Sequence, residues 1–156
     1  MAGLSKKNIK IMVCVLQLFL VGALFLPAGR IIAAQSRDSS ISVFGMIAHY
    51  AGMGFSNDAL LYTVMACAFP AAIIFCVLFL KERRNFGTAT ILSALYLSAS
   101  ACFYSAAPQK MVDYADISFL PYLMMLVSLV CLGFLILGFF LAMPPENDKD
   151  SPPRPQ

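Results

Sequence analysis

With 156 residues, 60% of them hydrophobic and only 12% charged, the chain lies far from the composition of soluble domains, about a quarter of which is charged. Its formal charge of +3 comes from dispersed basic residues, which excludes a nucleic-acid-binding surface. Four long uncharged runs, from Met12 to Gly29, Ala59 to Leu80, Asn85 to Gln109 and Ile117 to Pro145, leave no room for a separate soluble domain.

Each run reaches or approaches the ~20 apolar residues that a helix, rising ~1.5 Å per residue, needs to cross a hydrocarbon core of ~30 Å. Hydrocarbon offers no partner to backbone N–H and C=O groups, so each run must close its own hydrogen bonds as a helix. The expected fold is an all-α integral membrane protein, a bundle of four transmembrane helices over about residues 10–28, 59–80, 86–106 and 117–143. Residues 1–143 form a single membrane domain and 144–156 a disordered, proline-rich tail.

The first span ends at Pro27-Ala28-Gly29, where proline removes a donor and glycine frees the backbone. Lys6 and Lys7 ahead of an apolar run, with Ala33-Ala34 beyond it, imitate a secretory signal. The run, however, is 18 residues long against about 7–15 for a signal, and Pro27 and Arg30 intervene, so the helix is expected to be retained. From Arg30 to Phe44, two short β-branched segments flank the polar Ser36-Arg37-Asp38-Ser39-Ser40, which predicts a hairpin. The segment from Gly45 to Gly54 is uncharged apart from His49, but only Asp58 would separate it from the next span. It is therefore read as a short interfacial helix or irregular segment on the outer surface.

Ser56-Asn57-Asp58 offers caps for the second span, and Pro70 predicts a kink near Ala66. The cluster from Lys81 to Arg84 makes spans two and three antiparallel neighbours. Span three carries Thr90, Ala94, Ser98 and Cys102 at four-residue spacing, small residues that let helix backbones approach and so predict a packing seam. Span four begins near Ile117, with Pro121 in its first turns. Gln17 is a polar residue at depth in span one, expected to hydrogen-bond across to Ser128 or Ser98.

Eight basic residues (Lys6, Lys7, Lys10, Lys81, Arg83, Arg84, Lys149, Arg154) fall on one side of the spans and three (Arg30, Arg37, Lys110) on the other, which predicts both termini in the cytoplasm of a plasma, or inner, membrane. Tyr50, Tyr62, Tyr104, Tyr114 and Tyr122 map to the opposite boundary, as an aromatic belt would. All five cysteines lie within the apolar runs, so no disulfide framework is expected in the outer loops.

No ionisable residue lies deep in any span, and no GxSxG, HExxH or phosphate-cradling glycine loop occurs, so no catalytic residue and no cofactor is expected. Met46, His49 and Met53 would share a helix face with Cu(I)-compatible donors, but methionines also belong on an interfacial apolar face, and no metal site is assigned. Asp113 and Asp116 are read as helix-start residues. Four spans with a larger first outer loop resemble the tetraspan layout of claudins; this loop has neither tryptophan nor cysteine, and adhesion is not transferred. The expected partners are the lipid bilayer and a membrane protein or second copy of the chain, not nucleic acid. The expected role is that of a non-enzymatic accessory, assembly or scaffold component. The alternative is an oligomeric pore or transporter subunit.

Overall fold

The computed structural model describes residues 6–31, 39–79, 83–110 and 115–142; the tail, Arg37, Asp113, Tyr114 and the chain around Lys81 lie outside them. In chain order the elements are α1 (Lys6–Ala23), β1 (Pro27–Ile31), β2 (Ser39–Ser42), α2 (Val43–Gly52), α3 (Ser56–Phe79), α4 (Arg83–Lys110), β3 (Ala115–Ile117) and α5 (Leu120–Leu141). Three of the helices are long and apolar enough to cross a membrane: α3, α4 over Arg84–Ala107, and α5. At 18 residues, with Lys6, Lys7 and Lys10 in its first turns, α1 is shorter and more charged.

The four long helices pack in a ring, α1 and α4 each against both α3 and α5. Strands β1, β2 and β3 gather at the end where α1 and α4 finish and α3 and α5 begin, so ring neighbours run antiparallel. Side chains facing the bundle axis form two apolar clusters. One, near the sheet, includes Leu20, Met46, Tyr50, Phe103 and Met124; the other, at the far end, includes Ile9, Val13, Ile73, Phe86 and Leu135.

Outward-facing residues are apolar on every side of the ring: Val15 and Leu18 on α1, Leu60 and Phe75 on α3, Ile91 and Leu95 on α4, Leu126 and Leu129 on α5. Soluble monomers rarely expose a contiguous apolar surface beyond a few hundred Å². A continuous belt around four helices marks a bundle whose surroundings are themselves apolar.

Several boundaries differ from the sequence expectation. Helix α1 stops at Ala23, because Leu24, Phe25 and Leu26 bond carbonyls three residues back, tightening the last turn before Pro27 enters β1. Two strands of the expected hairpin region pair antiparallel, but residues 32–38 lie outside the described residues. Ser39 and Ser40, read as turn, belong to β2, Val43 and Phe44 belong to α2, and β1 starts at Pro27, where a missing N–H is tolerated in the first residue of a strand. Ile117, read as the start of span four, lies instead in a third strand. The order is β2-β1-β3, with Gly29 opposite Ile117 and Arg30 opposite both Ser40 and Asp116. Beyond β3, Pro121 sits at the start of α5, where its lack of an N–H costs nothing.

The segment read as interfacial helix or irregular chain is the helix α2. Ser42 caps it by accepting a hydrogen bond from the Gly45 N–H at 3.0 Å. Its far end reaches Gly54 at φ 98°, a conformation glycine adopts without strain, and α3 begins two residues later. Ser56 lies inside α3 rather than capping it, its hydroxyl donating to the Ala51 carbonyl at 3.3 Å. Asp58 falls in the first turn, at the positive end of the helix dipole. Helix α3 runs unbroken through Pro70.

Candidate functional site

The sheet end of the bundle is where the chain departs from plain apolar packing. Strand β1 follows α1 directly, β2 leads into α2, and β3 comes from the connection between α4 and α5. The two connections at this end are thus joined by main-chain hydrogen bonds. A register shift between Pro27 and Gly29 leaves Ala28 as an extra residue, and its carbonyl accepts the Ser118 N–H at 2.8 Å. The start of α2 is tied to the end of α1 through the Phe44 N–H, which donates to the Leu24 carbonyl at 3.0 Å.

Beside the sheet, Lys110 at the end of α4 fastens α2 down. Its Nζ donates to the Tyr50 hydroxyl at 3.0 Å and sits 4.0 Å from the Phe55 ring centroid and 5.5 Å from that of Tyr50. The two rings stack at 4.8 Å, and Tyr50 meets Phe103 of α4 edge-on at 5.9 Å. Donating a hydrogen bond to Tyr50 raises the pKa of the Lys110 ammonium above its ordinary value, against a smaller opposing effect of desolvation. Under this cluster a narrow cleft of about 20 Å³ lies between α2, α3 and α4, walled by Ile47, Tyr62, Ala66, Tyr96 and Ser100. That is room for about one water molecule.

The four small residues of α4 do not share one environment. Thr90 and Ala94 are half-buried, whereas Ser98 and Cys102 are exposed. Each step of four residues turns the helix ~400°, so a strict four-residue stripe drifts ~40° per step and rotates off the inner face. The buried face of α4 instead follows alternating steps of three and four: Phe86, Ala89, Ser93, Tyr96, then Phe103 and Ala107. That alternation was present in the sequence and is the signal that locates the inner face. The Thr90 and Ser98 hydroxyls donate to carbonyls four residues back in their own helix, at 2.7 and 2.9 Å.

Gln17 is fully buried, but its partner is neither Ser128 nor Ser98. Its Nε2 donates to Cys131 Sγ at 3.1 Å, while the Ser128 hydroxyl donates to the Met124 carbonyl and Ser98 faces outward. Of the copper-compatible trio, Met46 is fully buried in the core and Met53 packs half-buried against it. Among the described residues, no group of three or more His, Cys, Asp or Glu could hold a metal ion.

Compared with protein-family models, with curated proteins and with solved structures, the chain matches none of them.

Proposed function

We propose that the chain is a four-pass protein of the plasma, or inner, membrane with both termini in the cytoplasm. In this reading it works without catalysis, as an accessory, assembly or scaffold component acting through contact. The observation that carries the reading is the cap at the sheet end. Two connections distant in sequence are hydrogen-bonded into one sheet through Gly29 and Ile117, and α2 is fastened beside it by Lys110. Such a cap holds its described strands and α2 together, which lowers the ordering cost of recognition by contact. The apolar belt on all four helices supports the lipid setting, with α1 completing the fourth crossing through its tight Leu24–Leu26 turn.

The test is cross-linking in native membranes from a photoreactive group attached at Ser40→Cys, an exposed cap residue. A discrete adduct with one neighbour, or with a second copy of the chain, is expected. Recovery of the monomer alone under several cross-linking chemistries would remove the proposal. A second reading, the oligomeric pore or transporter subunit, is favoured by Ser98, Cys102 and Ser105, which face outward from α4 where only a neighbouring protein would shield them from lipid. Liposomes containing the protein and showing no flux of ions or small solutes would exclude it.

A further inference from the structure

Among the described residues, three fully buried polar side chains, Gln17, Ser93 and Ser128, each stand between the two apolar clusters along their own helix. On α1, Gln17 (0% exposed) stands between Val13 of the far apolar cluster and Leu20 of the cluster near the sheet. On α4, Ser93 (1% exposed) stands between Ala89 and Tyr96 of the same two clusters, and on α5, Ser128 stands between Cys131 and Met124. The remaining helix contributes Pro70, buried one turn before Ile73 of the far cluster. Having no N–H, Pro70 cannot bond the carbonyl of Ala66, which also lines the cleft.

Two side-chain atoms of these residues lack a hydrogen-bond partner in the protein: Gln17 Oε1 and Ser93 Oγ. The Gln17 amide is already held through Nε2 by Cys131, and Ser128 is satisfied by Met124. Leaving a buried polar atom unpaired is costly, and folded proteins commonly meet such groups with internal water making about three hydrogen bonds.

We infer that Gln17 and Ser93 line an internal hydration site, binding water between the two apolar clusters. Water can donate to the Gln17 amide oxygen while accepting from the Ser93 hydroxyl, and its second proton can reach a further acceptor such as a proline-freed carbonyl. An apolar occupant would satisfy neither atom. The inference goes beyond the proposed function and stands whatever membrane the bundle occupies, because both atoms are shut away from outside solvent.

X-ray radiolytic footprinting of the protein in lipid nanodiscs tests it, since radicals born from a bound water oxidise the nearest side chains. Both cysteines belong to the far apolar cluster, but Cys131, 0% exposed, is bonded to Gln17, and no such bond is shown for Cys76, 7% exposed. The native protein is expected to oxidise at Cys131 several-fold faster than at Cys76. Cys76 lies in the last turn of its helix, so stray bulk radicals would favour it and work against the expected result. The double variant Gln17→Leu, Ser93→Ala is expected to bring Cys131 down to the rate of Cys76. Cys131 reacting no faster than Cys76 in the native protein, as a direct bond between Gln17 and Ser93 would produce, overturns the inference without any variant.

Discussion

Gly29 is the position where one added methyl group would do most harm. A Cβ there would collide with the main-chain carbonyl oxygen of Asp116 on β3, and backbone in the central strand pairing cannot swing aside. Gly29→Ala is expected to destabilise by about 1–3 kcal/mol, as overpacking does, read as a lower denaturation midpoint in detergent. Gly22→Ala serves as the control: nothing lies near its Cβ, and in a helix alanine is favoured over glycine by about 0.5–1 kcal/mol, so no loss is expected. At Gly138 a Cβ would meet the buried Phe86 ring and Ile9, so Gly138→Ala should also destabilise the bundle.

Lys110 supplies a second expectation at this scale, this one dependent on pH. Its folded-state pKa lies above the ordinary 10.5, so its stabilising contribution is complete below that value and is lost as pH rises through the higher folded one. Hydrogen exchange across α2, corrected for the intrinsic pH dependence of exchange, should therefore show constant protection between about pH 8 and 9 and a loss above about 10.5. Lys110→Met should expose the same segment already at neutral pH. Protection of Val43–Gly52 unchanged in that variant would mean that the bond to Tyr50 does not hold α2.

Among the elements, the sheet makes the sharpest commitment. Arg30 and Asp116 are paired across β1 and β3, and directly opposed residues of antiparallel strands come within disulfide reach. Arg30→Cys combined with Asp116→Cys should cross-link under mild oxidation and join the two connections, seen as two fragments held together after proteolysis between α2 and α4. Ser42→Ala removes the α2 cap and should cost about 1 kcal/mol. Helices and a strand pair were legible in the sequence, since apolar runs and β-branched segments around a polar turn are local signals. Strand β3 was not. Its three residues, Ala115-Asp116-Ile117, form no pattern of their own and become a strand only because β1 offers an open edge.

For the whole molecule, the expectation concerns sides. With both termini inside, a membrane-impermeant thiol reagent applied to intact cells should label Ser40→Cys and Asp116→Cys, while a tag after Gln156 stays protected until the cells are opened. Labelling of the tag in intact cells would reverse the orientation inferred from the basic residues. The candidate site divides along the same line as the fold. Gln17 was recognisable as a polar residue at depth, but its bond to Cys131, 114 residues away, depends on how α1 and α5 face each other.

The helices themselves follow from the sequence alone, because a helix hydrogen-bonds within itself and an apolar run in lipid has no other way to satisfy its backbone. The outward apolar belt is determined equally directly by composition. The tertiary structure decided which residues meet: Lys110 with Tyr50 and Phe55, Gly29 with Ile117, and Gln17 with Cys131. Strand pairing and side-chain contact are made between distant parts of a chain, and their register is set by packing that no local pattern contains.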